Sequence, residues 1–184
     1  MKVIKNILIT FLIANLVIVA GTGVYSHFCG DAKRAEAKSF KVSSVTDGDT
    51  FKIKKNGKII TVRLIGVDTP ESVATRSDLV NTDWGKKASK FTKKILSGKK
   101  VTLKYDKSKK DIYGRTLAYV YYKKSGKTIF LNNQLVKKGY ARAVYYAPNK
   151  KYKAKFEKSQ KYAKKHKIGF WKDGFSNAFP SKTE

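Results

Sequence analysis

The segment "TFKIKKNGKIITVRL", residues 50–64, commits this chain to an antiparallel hairpin. Its centre, Asn56-Gly57, is a turn signal with a mechanism: a tight turn matching strand twist needs positive φ, and these two residues tolerate it. The flanking stretches Thr50–Lys55 and Lys58–Val67 read as the paired strands. Phe40–Thr46 reads as a strand before them, and Val101–Tyr105 and Arg115–Tyr122 alternate like two more. Helical spacing then predicts a helix from about Trp84 to Leu96, with Ala88, Phe91, Ile95 and Leu96 inward and Gly98 as a stop. A second helix is predicted at Leu131–Lys138, closed by Gly139, followed by an extended piece at Ala141–Tyr146. A third spans Lys150–Lys167, where Tyr152, Phe156, Ser159 and Ala163 fall on one stripe.

Five strands with helices interposed and appended make an α+β domain on a small barrel. The five-stranded oligonucleotide-binding (OB) barrel fits, since it offers loops and one open face to nucleic acid. With 41% hydrophobic residues in 184, the chain can pack such a core and carry a leader besides. Its 41 Lys+Arg against 13 Asp+Glu give a formal charge of +28, spread from Lys41 to Lys182. A folded surface of that kind attracts and steers polyanions, with nucleic acid the leading partner and anionic lipid or cell-wall polymer the alternative.

The N-terminus addresses location. Lys2 and Lys5 precede the apolar run Ile7–Ala20, no charge falls between Asn6 and Gly30, and Ala20, Gly21 and Gly23 offer a cleavage region. Residues 1–30 therefore read as a signal peptide, or as an uncleaved membrane anchor through residues 7–25, with the domain outside in either case. Residues 31–38 read as a linker, 39–175 as the domain and 176–184 as a C-terminal tail. The single Cys29 cannot form an internal disulfide, so stability rests on the core.

The few acids carry the chemistry. Beyond residue 37 the chain holds 37 basic and 11 acidic residues, yet Asp47, Asp49, Asp68 and Glu71 gather at the ends of neighbouring strands. Carboxylates held together usually need a cation, and hard oxygen donors without His or Cys point to calcium or magnesium. His27 and His166 read as spectators. Taken singly, Asp-Gly-Asp is only a turn, Asp68-Thr69-Pro70-Glu71 a loop opening, and Arg63 and Arg115 solvated strand residues. Strict alternation also puts Arg63 and Asp68 on opposite faces, which a bend near Gly66 would reconcile.

In combination, "TDGDT", "VRLIGVDTPE", "GKKASKFTKKIL", "DIYGRTLAYV" and "LVKKGYA" follow the order and approximate spacing of the staphylococcal nuclease (thermonuclease) family, which the chain resembles from about Val42 to Trp171. The resemblance implies an OB-barrel, Ca²⁺-dependent phosphodiesterase that cuts DNA and RNA with little base specificity and leaves 3′-phosphate ends. It implies Asp49 and Asp68 as carboxylate ligands of Ca²⁺, with the Thr69 carbonyl beside them. Glu71 would be the general base that activates or orients water, Arg63 and Arg115 would hold the scissile phosphate, and Tyr113 and Tyr145 would line the nucleotide site. A monomer without an obligate protein partner, acting on single-stranded or locally opened nucleic acid, is the expected form. The chain departs from that pattern in the loop carrying Arg76 and Asp78, at Ile112 where a lysine stands in the best-known member, and at Tyr146-Ala147-Pro148. The competing reading is a non-catalytic basic barrel that only binds polyanions. Such a binder has no reason to keep Asp49, Asp68 and Glu71 beside its anion site, because they repel phosphate.

Overall fold

The Asn56-Gly57 turn forms with φ of 50° and 78°, joining β2 (Thr50–Lys55) to β3 (Lys58–Leu64) in unbroken antiparallel register from Lys55↔Lys58 to Thr50↔Arg63. The computed structural model describes residues 38–72 and 82–180, so the expected export segment, most of the expected 31–38 linker, and Arg76 and Asp78 lie outside the described residues. Among the described residues no helix is long and apolar enough to cross a membrane.

β1 (Ser39–Val45) pairs with β2 on one side and with β5 (Lys100–Lys104) on the other, its register shifting between Val42 and Ser44. β5 pairs with β6 (Thr116–Lys124), and the start of β6 runs parallel to the end of β3, from Val62↔Thr116 to Leu64↔Ala118. That last pairing closes the ring β1-β2-β3-β6-β5, the five-strand barrel expected of an α+β domain of OB type. Its interior is apolar: Phe51, Ile53, Val62, Val101, Ala118 and Val120 are all at most 1% exposed.

The strand count needs one correction. β7 (Lys127–Phe130) extends the sheet beyond the barrel as a sixth strand, hairpinned to β6 through Ser125-Gly126. Four residues on a half-exposed edge leave too little alternation to be read in advance. The third strand also stops at Leu64, short of Val67. Gly66 turns the chain with φ +76°, and a Cβ there would lie 2.5 Å from the Phe156 ring, so the position demands glycine both conformationally and sterically. Beyond it the two-residue β4 (Val67–Asp68) pairs with β8 (Arg142–Ala143), all that forms of the extended piece at 141–146 as regular strand.

The helices follow the expected stripes. α1 (Asp83–Leu96) is capped by Thr82, whose Oγ1 accepts from Gly85 N at 3.0 Å, and buries Ala88, Thr92 and Leu96. α2 (Leu131–Lys137) buries Leu131, Asn132, Leu135 and Val136. α3 (Lys153–Lys165), shorter at both ends than Lys150–Lys167, buries Phe156, Ser159 and Ala163; the Ser159 hydroxyl donates to Asn133 Oδ1 at 2.8 Å, which accounts for a polar group in the stripe. Two short helices follow, α4 (Phe170–Asp173) and α5 (Phe175–Ala178). The boundary drawn at residue 175 falls inside packed chain: Ala178 is buried with its carbonyl on Thr82 Oγ1, and Phe179 stacks on Phe175 at 4.9 Å.

Asn132 is fully buried and holds the barrel seam. Its Nδ2 donates to the carbonyls of Ile65 (2.8 Å) and Ala118 (3.3 Å), and its Oδ1 accepts from Val120 N at 2.9 Å.

Candidate functional site

The turn at 46–50 explains the Asp-Gly-Asp spacing. Gly48 lies against the second acidic segment so closely that a Cβ would meet Thr69 Cγ2 at 2.8 Å and Ala88 Cβ at 2.9 Å, and its carbonyl accepts from Thr92 Oγ1 at 2.7 Å. Only glycine lets the first acidic turn nest on both the second and α1. Asp49 is then aimed inward: buried at 5% exposure, its Oδ2 accepts from Thr69 N at 2.9 Å and Thr69 Oγ1 at 3.1 Å, while Oδ1 accepts from Thr50 Oγ1 at 3.0 Å.

The bend at Gly66 folds Asp68 back beside Arg63. The guanidinium donates from Nη1 to the Val67 carbonyl at 2.9 Å and pairs with Asp49 Oδ2 at 2.7 Å, while Nη2 donates to Asp68 Oδ1 at 3.0 Å. One largely buried arginine thus bridges the two aspartates. Burial works against its charge, but Asp49, then Asp68 and Glu71, outweigh it and hold the Arg63 pKa above the ordinary arginine value. Asp68 is pushed up by burial and by Asp49, with Arg63 and Arg142 opposing.

Glu71 enters the same cluster three residues beyond Asp68, the end of β4. Its backbone is fixed by α1: Thr82 N donates to the Glu71 carbonyl at 3.1 Å, and Gly85 leaves no room there for a Cβ, which would fall 1.8 Å from that oxygen. Burial, then Asp47 as both a negative charge and a hydrogen-bonding neighbour, then Asp49 and Asp68, push the Glu71 pKa up to about 8. Asp47 is itself raised, chiefly by burial and by Asp49, and its Oδ1 accepts from Gly48 N at 2.6 Å. It belongs to the turn and to Glu71, distinct from Asp49 in role.

The sign of the resulting pH effect is fixed. Below the ordinary glutamate pKa of 4.5 the carboxyl is protonated folded or unfolded; between there and about 8 only the unfolded chain ionises it. Folding stability in chelator therefore falls as pH rises through that window and levels off above it, with Asp47 adding in the same direction. Denaturant titrations at the two ends should show a larger loss for the parent than for Glu71→Gln, and equal losses would remove Glu71 from this cluster.

Arg115 stands just before β6, and the Val62↔Thr116 and Arg63↔Leu117 register brings the two arginine-bearing segments side by side at the barrel seam. Its Nε donates to Asp111 Oδ2 at 2.7 Å, and its guanidinium lies 5.2 Å from the Tyr113 ring centre, with Tyr113 itself 65% exposed. The loop carrying these residues is tied to the 145–152 segment: Asn149 Oδ1 accepts from Ser108 N at 2.8 Å, Asn149 Nδ2 donates to Ser108 O at 2.9 Å, and Asp106 Oδ2 accepts from Lys151 N at 3.0 Å.

Tyr145 sits differently. It is half-buried against the core, its hydroxyl donates to the Lys153 carbonyl at 2.9 Å, and burial followed by Glu157 raises its pKa to about 12. Its neighbour Tyr146 is 73% exposed. The structure thus brings Asp49, Arg63, Asp68, Thr69 and Glu71 into one cluster with Asp47. The sequence names Tyr145 but leaves the second substrate tyrosine open at Tyr146-Ala147-Pro148; what sequence reasoning missed is Arg142, whose Nε donates to Asp68 Oδ2 at 2.9 Å. A signal for Arg142 existed: only five of the 41 basic residues are arginines, and an arginine where lysine is the default needs a reason.

Whether a metal suits the site turns on its donors. Among the described residues no group of three or more His, Cys, Asp or Glu side chains is placed to hold an ion. Two carboxylates already sharing a cation, with the Thr69 backbone locked to one of them, form a hard oxygen set that fits Ca²⁺ or Mg²⁺ when water or substrate completes it.

A family model described as "Staphylococcal nuclease homologue" matches residues 61–173. A thermonuclease of Staphylococcus hyicus is 48% identical over 137 residues, covering 74% of this chain and 78% of the relative. A thermonuclease of Staphylococcus intermedius is 44% identical over 153 residues, 83% and 86% of the two chains. Endonuclease YncB of Bacillus subtilis (strain 168) is 42% identical over 132 residues, 70% of this chain and 60% of the relative.

Proposed function

Because this chain belongs to the staphylococcal nuclease family and is a hydrolase that cleaves nucleic acids, we propose that it is a calcium-dependent phosphodiesterase, acting on DNA and RNA with little base specificity and leaving 3′-phosphate ends. The observation that carries the reading is the bridging of Asp49 and Asp68 by Arg63, with the raised carboxyl of Glu71 alongside. Four acids beside a guanidinium in so basic a chain suit a site that must handle both a cation and a phosphate.

The ligands would be Asp49, Asp68 and the Thr69 carbonyl, and bound Ca²⁺ would neutralise phosphate charge and make water easier to ionise. Glu71 takes the proton of the attacking water, or orients that water, from a carboxyl whose high pKa makes it an effective acceptor once ionised. Arg63 supplies charge to the phosphate oxygens from the floor of the site. Arg115, held at Nε by Asp111, offers its terminal amino groups to the same phosphate, in the paired geometry that guanidinium favours. Tyr113 and Tyr145 were the expected ring contacts; exposure favours Tyr113 and Tyr146 for stacking on splayed bases, worth about 1–3 kcal/mol per base. That contact selects single-stranded or locally opened substrate.

The export reading rests on Lys2, Lys5 and the run Ile7–Ala20, which place the domain outside the cytoplasm, secreted or anchored through residues 7–25. The enzyme acts as a monomer in this reading.

Incubating the full chain with single-stranded DNA in calcium and in chelator tests the proposal. Digestion in calcium alone is expected, with product 3′ ends that polymerase extends only after phosphatase treatment. Intact DNA in both tubes would sink the enzymatic reading, and digestion in chelator would sink the calcium requirement.

A further inference from the structure

We infer that Arg142 is a positioning residue for Asp68, and that the C-terminal segment ending at Phe179 is the clamp that holds it; the metal side of this inference rests on the calcium reading above. Asp68 is gripped from both sides, Oδ1 by Arg63 Nη2 at 3.0 Å and Oδ2 by Arg142 Nε at 2.9 Å. Arg63 is locked in place by its own contacts to the Val67 carbonyl and to Asp49. Arg142 sits on the short β8, with a side chain 37% exposed, and a long exposed side chain does not hold one rotamer without packing.

The packing comes from the end of the chain. The Arg142 guanidinium lies 4.4 Å from the centre of the Phe179 ring and 5.6 Å from that of Phe175. Those two rings stack at 4.9 Å and 18°, and Phe175 stacks in turn on Trp171 at 5.6 Å and 19°. The clamp is itself anchored: the Ala178 carbonyl accepts from Thr82 Oγ1, the residue that caps α1, and Phe170 meets the Phe179 ring edge-on at 5.4 Å. A planar guanidinium suits this arrangement, since one face takes the ring while its edge keeps the carboxylate; an ammonium cannot do both. Aromatic residues on the face of the guanidinium therefore set the rotamer of a carboxylate at its edge. Support of this kind around a metal ligand is commonly worth about 10–100-fold in metal affinity.

The test separates position from charge. Phe179→Leu removes the ring and leaves every charge in place, Phe179→Tyr keeps the ring, and Arg142→Lys keeps the charge without the fork. In calcium-free protein, the Arg142 Nε–H resonance, identified by its loss in Arg142→Lys, should be slow to exchange in the parent and in Phe179→Tyr and rapidly exchanging in Phe179→Leu. In calorimetric titration with calcium alone, Phe179→Leu and Arg142→Lys should bind about tenfold more weakly than the parent, and Phe179→Tyr close to the parent. Melting temperatures recorded alongside identify any variant that has lost its fold. A protected Arg142 signal in Phe179→Leu, or calcium affinity there equal to the parent, overturns the clamp. Failure of the parent to bind calcium would instead overturn the calcium reading, while the calcium-free exchange measurement still decides the clamp.

Discussion

Glu71→Gln should lower turnover on single-stranded DNA by about 10²–10⁴-fold, the range contributed by a positioned proton acceptor, and leave substrate affinity unchanged or slightly higher. The amide keeps the size of the side chain and its anchoring by Thr82 and Gly85, so the backbone of the site has no cause to move. It cannot accept a proton, and it removes a carboxyl that, once ionised, adds negative charge to a cluster that phosphate must approach. The loss should therefore fall on kcat and spare KM, the pattern of an interaction made only in the transition state. Near-normal turnover would remove Glu71 from the mechanism.

The second large effect concerns folding. Arg63→Met in chelator should cost about 3–5 kcal/mol, the usual penalty for deleting one partner of a buried ion pair. Methionine fills much of the same space, but it leaves Asp49 and Asp68 facing each other without the cation that now bridges them at 2.7 and 3.0 Å. Calcium should then restore more stability to the variant than it adds to the parent, because in the variant it relieves a repulsion that Arg63 no longer offsets. Urea titrations of both proteins, with and without calcium, measure the two differences. A loss near zero in chelator would mean that the aspartates are solvated and that the bridge contributes little.

Much of this could be read from the residues. Asn56-Gly57 and the alternation around it gave the hairpin because turn chemistry and strand period are local properties. The acids and Arg63 were legible as a set through their order along the chain, and the bend at Gly66 through the odd separation of Arg63 and Asp68. What escaped lay in contacts between distant segments with no period of their own. β7 is four residues on an exposed edge, and α4 and α5 are four each, too short for a 3.6-residue repeat to show. Tyr145 and Tyr146 are neighbours in an irregular segment, so which ring packs and which faces solvent depends on α3 and on the Asn149 tie to Ser108. Arg142 carries no motif; its partners are 74 residues away at Asp68 and 37 residues on at Phe179.

The buried amide of Asn132 bears on how genetic data for this protein should be interpreted. It carries no charge, touches no reacting group, and joins the carbonyl just before the Gly66 bend to two backbone positions on β6. The strand that presents Arg63 and the strand that follows Arg115 are thus kept in step by a residue beneath both. An inactive allele at this position, scored by activity alone, would be filed with the catalytic mutants. Its defect would be one of alignment between two halves of the phosphate grip, and the chemistry of the site would have been left untouched.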